Sequence, residues 1–167
     1  MRARFGPATL ASMSAPSFSV VTLRQRPDFA ATVADRVWRA WWEPKGRALE
    51  PVADFVRGAA EGASIPSALV AHEGGAYLGS ALLIASDLDA RPRYTPWVAA
   101  VWVEPAHRRR GIGAALVREG AALAGRMGFA PAYLCALPHN HGFYRALGWR
   151  LVEAGVDADG LAVFRSP

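Results

Sequence analysis

The sequence predicts a single domain of mixed α/β class, and three observations carry that expectation. Apolar stretches of strand length recur at residues 20–23, 67–72, 77–84, 97–103, 133–137, 149–153 and 161–165. Helix-like segments lie at 27–42, 51–62, 111–127 and 139–147. Strands run together in the middle of the chain but alternate with helices near its end, which suits a mixed sheet flanked by helices. A chain of 167 residues leaves no room for a second full core, and 52% hydrophobic with 20% charged residues is a globular balance.

Each element has a local reason. Val20, Val21 and Thr22 form a short β-branched run. Pro27 opens the first helix, in which Phe29, Val33, Val37 and Trp41 recur at spacing four and stack on one face. Pro44, Lys45 and Gly46 end it, and Val52, Phe55 and Val56 form the apolar side of a second helix. Gly74 and Gly75 make a tight turn between two strands, a hairpin. A polar loop at 86–95, with Asp87, Asp89, Arg91, Arg93 and Tyr94, precedes the strand 97–103. Pro105 stops that strand because proline cannot donate to a ladder. Ile112, Leu116, Leu123 and Met127 give the following helix its buried side.

The formal net charge is +5, and Lys45 is the only lysine. Such a balance attracts nucleic acid, acidic lipid or a polyanionic cofactor, and it also reflects a compositional habit of Arg for Lys with much Ala. Cys135 stands alone, so no intrachain disulfide and no cysteine-based metal site is expected, in keeping with a cytoplasmic location. No stretch has the length and apolarity of a membrane span. Residues 1–19 lack a continuous apolar segment and are expected to be a disordered tail, with Met13 an alternative start.

The stretch from Val101 to Ala114 is the most informative. A strand is followed by a basic turn, Arg108-Arg109-Arg110, and then by Gly111, Ile112 and Gly113 at a helix mouth. A helix start leaves N–H groups unpaired, and its dipole favours anions. Glycines let a bulky anion approach the backbone. The turn is therefore expected to bind phosphate or pyrophosphate. It is not a Walker A loop, which needs a Gly-Lys pair, nor a Rossmann fingerprint, since the third glycine is missing.

These residues resemble the GNAT (Gcn5-related N-acetyltransferase) superfamily. Arg108 to Gly113 is similar to its Gln/Arg-x-x-Gly-x-Gly/Ala motif, and Val103-Glu104-Pro105 to the end of its central strand. Phe143-Tyr144 with Gly148-Trp149 resembles its Phe-Tyr-x-x-x-Gly-Phe segment. The resemblance implies an acyl-CoA N-acyltransferase fold over residues 20–167, with a mixed, mostly antiparallel central sheet flanked by helices. It implies acetyl-CoA as cosubstrate, with no metal. Main-chain N–H groups of Arg109, Arg110, Gly111, Ile112, Gly113 and Ala114 would hold the pyrophosphate, with Arg108 setting the turn. The strand Val101, Trp102 and Val103 would line the pantetheine arm, and an N–H near Val103, at a central-strand bulge, would face the oxyanion. Tyr144 would protonate the departing thiolate. Asn140, four residues before Tyr144 where relatives place an Asn about seven before, would reach coenzyme A or the carbonyl of the fifth strand.

The expected activity is acetyl transfer to a primary amine of a small molecule or peptide in a ternary complex, without nucleic acid or membrane partners; relatives are commonly dimers, so a homodimer is one expected assembly. A general base is not evident. Glu104, His72, His107, His139 and His141 are candidates, and Glu104 reads more simply as a solvent-facing carboxylate balancing Arg108. Trp38, Trp41 and Trp42 read as core, or as one wall of the acceptor cleft. The polar loop touches the acceptor or is a solvated connection, and Cys135 reads as a buried spacer. Two other readings are a non-catalytic acyl-CoA sensor and an arginine-rich nucleic-acid binder.

Overall fold

The computed structural model describes residues 17–167. The tail expected over residues 1–19 lies outside them up to residue 16, and the first strand already begins at Ser19. Seven strands form one sheet: β1 (Ser19–Thr22), β2 (Ser67–Glu73), β3 (Ala76–Ile84), β4 (Trp97–Val103), β5 (Tyr133–Ala136), β6 (Arg150–Glu153) and β7 (Ala162–Arg165). Their order is β1-β2-β3-β4-β5-β7-β6, antiparallel throughout except for the parallel β4–β5 pair. The helices are α1 (Ala30–Val37), α2 (Glu50–Glu61), α3 (Ile112–Arg126) and α4 (His141–Ala146).

Alternation along the strands feeds two cores. Leu69 and Ala71 of β2 join Leu78, Leu83, Val98, Leu134 and Phe164 beneath α3, with Leu116 and Val117 fully buried. Ala68 and Val70 face the other way, against Val33, Val37 and Val56 of α1 and α2. Each fully buried Leu or Val of this kind contributes about 2 kcal/mol. Two glycines set close approaches. A Cβ at Gly79 would lie 2.5 Å from the Trp102 carbonyl oxygen, and one at Gly120 would lie 2.9 Å from Val98 Cγ2. These glycines let β3 meet β4, and α3 meet β4, at shorter range than a side chain allows.

The feature that positions the site is a split between β4 and β5. Their register holds one pair, Trp97 with Tyr133. Beyond it the strands part, so the later β4 groups on that side have no ladder partner. The cause lies within β4. Ala100 has φ 48, and the β3–β4 register slips between Ser80 and Leu82. This is a bulge, which bends a strand and re-aims its end. It is centred on Ala100 and Val101, just before Val103, near which the sequence reading placed it.

The first predicted helix is the element that differs most. Residues 27–42 form a short 3₁₀ turn (Pro27–Phe29), then α1, then a widened i→i+5 turn (Trp38–Trp42), and a second 3₁₀ turn (Glu43–Lys45) closes it at Gly46, φ 66. Phe29, Val33 and Val37 are buried as their spacing predicts. The wider turn adds a residue per bond and rotates Trp41 off that stripe. Trp41 is 36% exposed and Trp42 40%, so neither is a core residue.

Candidate active site

Leaving β4, the Glu104 N–H makes a last bond to the Leu78 carbonyl at 2.9 Å. Pro105 starts a 3₁₀ turn, Pro105–His107, because its fixed φ suits a helical start. Arg108 is then extended, Arg109 takes φ 63, Gly111 takes φ 80 and α3 begins. Among the described residues, the N–H groups of residues 109–114 donate to no protein acceptor; the next N–H, of Ala115, bonds the Gly111 carbonyl at 3.0 Å. Six free donors therefore lie together at the positive end of a fifteen-residue helix.

Five of these six residues, all but Arg110, border a cavity of about 290 Å³. Of the sequence-predicted residues, Val103, Arg108, Arg109, Gly111, Ile112, Gly113 and Ala114 line it, joined by His107 and Phe143. Phe143 was read only as part of a motif; its ring, 41% exposed, forms the wall contributed by α4. A Cβ at Gly113 would stand 3.6 Å from Val103 Cγ2 and 3.7 Å from Phe143 Cζ, so the glycine keeps that gap open. Arg108 Nε donates to the Val103 carbonyl at 3.1 Å, tying the turn to the strand end. This also gives that carbonyl a partner of its own.

Other predicted residues lie elsewhere. Arg110 does not line the cavity: it donates to Ser17 Oγ at 2.9 Å, meets His107 Nδ1 at 3.0 Å and stands 3.6 Å from Glu73. Val101 packs into the core under α3, and the Trp102 side chain turns to the α1 face. Asn140 is exposed and makes no side-chain bond among the described residues. In the fifth strand, the carbonyl of Ala136 accepts from His141 Nε2 at 3.0 Å rather than from Asn140. His141 sits at the start of α4, and only the fold shows that its ring turns back to β5.

Tyr144 is 9% exposed, with Phe143 and Phe164 at ring distances of 5.0 and 6.2 Å. Its hydroxyl has no protein partner among the described residues. Burial raises its pKa, so the phenol holds its proton more firmly than a free tyrosine. Glu104 does not balance Arg108. It is ion-paired with Arg36 of α1, which also binds Asp35. That pair joins α1 to the end of β4 and occupies the carboxylate that could have served as a base. Cys135 is partly buried, and desolvation pushes its thiol up to about 12, which leaves it a poor nucleophile. Among the described residues, no helix is long and apolar enough to cross a membrane, and no group of three His, Cys, Asp or Glu could hold a metal.

The polar loop before β4 is not a simple solvated connection. Arg91 Nε and Nη2 donate to Glu153 Oε1 at 2.8 and 2.5 Å, while Arg93 and the Tyr94 hydroxyl donate to Oε2 at 3.0 and 3.3 Å. Arg91 chiefly holds the Glu153 carboxyl below its usual range.

Comparison with known proteins follows this geometry. The model of the Acetyltransferase (GNAT) family matches residues 33–149. No curated protein matches the chain in sequence. Among solved structures, an aminoglycoside 6'-N-acetyltransferase complexed with coenzyme A aligns over 89% of this chain and 96% of its own, at 16% identity and TM-score 0.67. A Salmonella typhimurium acetyltransferase with its cofactor acetyl-CoA aligns over 89% and 92%, at 18% identity and TM-score 0.65. A GCN5-related N-acetyltransferase from Ralstonia eutropha JMP134 aligns over 80% and 92%, at 25% identity and TM-score 0.58. With its split sheet, its open row of amides after β4 and a family match over most of its length, this chain belongs to the GNAT acetyltransferase family.

Proposed function

We propose that the chain transfers an acetyl group from acetyl-CoA to a primary amine of a small molecule or peptide, by direct attack while both are bound. The observation that carries this reading is the row of six N–H groups at residues 109–114 with no protein acceptor among the described residues, beside a glycine-lined cavity and the β4–β5 split. Donors of that number and spacing fit a diphosphate, and Arg109 on the same cavity, with no carboxylate partner among the described residues, adds positive potential. Acetyl-CoA supplies an acyl group activated by a thiol leaving group. The chain's part is to hold and orient. The amides and Arg109 anchor the diphosphate, and the unladdered half of β4 offers main-chain groups to the pantetheine arm. Tyr144 keeps a proton at its phenol oxygen for the departing sulfur. Glu104 is engaged by Arg36, so the amine proton leaves through solvent.

Tyr144→Phe tests the assignment. Turnover, followed as free thiol, should fall about 100-fold, as for loss of a general acid. The calorimetric Kd for acetyl-CoA should stay unchanged. Equal losses in both would remove Tyr144 from the chemistry. Binding without thiol release from the unmodified protein, across a broad amine panel, would mark a sensing module instead.

A further inference from the structure

The α1 side of the split carries an aromatic wall that the transfer step does not use. The widened turn Trp38–Trp42 is pinned by Trp38, whose indole N–H donates to the Arg47 carbonyl at 2.7 Å. The turn holds Trp41 and Trp42 in the open, 36% and 40% exposed. Trp41 meets Trp102 edge-on, ring centroids 6.4 Å apart, and Trp102 lies on the part of β4 that has left β5. Trp102 Nε1 is closed off from solvent and has no hydrogen-bond partner among the described residues.

The charges around this wall are uneven. Arg108 lies 5.3 Å from the Trp102 ring and Lys45 lies 5.4 Å from the Trp42 ring, and neither has a carboxylate partner among the described residues. The carboxylates of Asp35 and Glu104 are both taken by Arg36. A second positive charge on an acceptor would meet both Arg108 and Lys45 here, against Glu43 as the one carboxylate of the turn without an ion pair among the described residues.

We propose that this wall selects the acceptor: a primary amine carried on an aromatic ring with no second positive charge, the ring packing against Trp41 and Trp102. The proposal rests on the acetyl-transfer reading above. It sets this chain apart from the structural neighbours that are named as aminoglycoside 6'-acetyltransferases.

The test is a rate comparison on the full chain at saturating acetyl-CoA, following free thiol with 2-phenylethylamine, tryptamine, n-hexylamine, spermidine and an aminoglycoside. The aryl amines should show kcat/KM about tenfold above n-hexylamine, the scale of an added aromatic contact, with spermidine and the aminoglycoside lowest. Trp41→Ala should raise KM for 2-phenylethylamine about tenfold, leaving n-hexylamine and the acetyl-CoA KM unchanged, and Trp41→Phe should restore most of the loss. Equal use of n-hexylamine or spermidine overturns the proposal, as does a Trp41→Ala effect shared by all amines. If Trp41→Ala does not fold, the panel on the unmodified protein decides alone. Thiol release confined to non-aromatic amines sinks only this proposal. No release with any amine sinks the transfer reading, and this proposal with it.

Discussion

The turn that follows β4 leaves six consecutive N–H groups without protein partners, whereas the loop that precedes β4 gathers Arg91, Arg93 and Tyr94 around one carboxylate, Glu153. One end of the strand leaves main-chain donors unengaged among the described residues. The other uses side chains to hold the molecule to itself. The difference follows from what each must do. A diphosphate is bound best by donors fixed in place by backbone geometry, which lose little freedom when it arrives. A long loop must be tied down across the sheet, and only long side chains reach β6 from there.

This contrast is broken most directly at Gly113. Gly113→Val would push two methyl groups into the gap between Val103 and Phe143, where a Cβ already stands 3.6 and 3.7 Å from its neighbours. Side-chain atoms in space that the diphosphate needs would weaken binding by about 2 kcal/mol, which corresponds to an acetyl-CoA Kd raised about 30-fold. Calorimetry should show that rise with Tm nearly unchanged. An unaltered Kd would mean that the cavity is not where the diphosphate sits.

The two ends also differ in how far the sequence reveals them. The anion-binding turn depends on residues adjacent in the chain, so its glycines, arginines and following helix could be read from 108–114 alone. The loop depends on partners about sixty residues apart, and no local pattern pairs Arg91 with Glu153. The same reason accounts for Glu104. Its neighbour in the chain is Arg108, but its partner in space is Arg36, brought there by α1 packing on β4. Strand 97–103 agrees residue for residue because Pro96 and Pro105 bracket it. The helix read over 27–42 fails at Trp38, since spacing-four periodicity cannot register one extra residue in a hydrogen-bond turn. That failure is informative: the misread segment is the one that leaves Trp41 and Trp42 exposed. The bond from His141 back to the Ala136 carbonyl spans a turn whose shape the local sequence does not show.

Glu153 sharpens the comparison from the other side. Its carboxyl is held below the usual range, so it favours the folded state above the unfolded pKa of about 4.3. That contribution is lost as pH falls through the lower folded pKa. Glu153→Gln should therefore lower Tm at neutral pH, and the gap from the unmodified protein should close as the pH drops below the ordinary carboxylate range. The acetyl-CoA Kd should not move. A Tm gap independent of pH would assign the effect to packing rather than to the arginines.

The smallest expected effect is the most pointed. Arg109 lines the cavity, yet its backbone, at φ 63, does more than its charge by turning successive N–H groups inward. Arg109→Ala removes an exposed cation whose interaction with a diphosphate is screened, worth at most about 1 kcal/mol. The acetyl-CoA Kd should rise about two- to threefold and become less sensitive to salt. Arg109→Gly, which suits the positive φ better, should bind at least as well as Arg109→Ala, because it lacks the same charge but keeps the turn. A loss with either variant as large as that of Gly113→Val would mean that the guanidinium, and not the row of amides, holds the diphosphate.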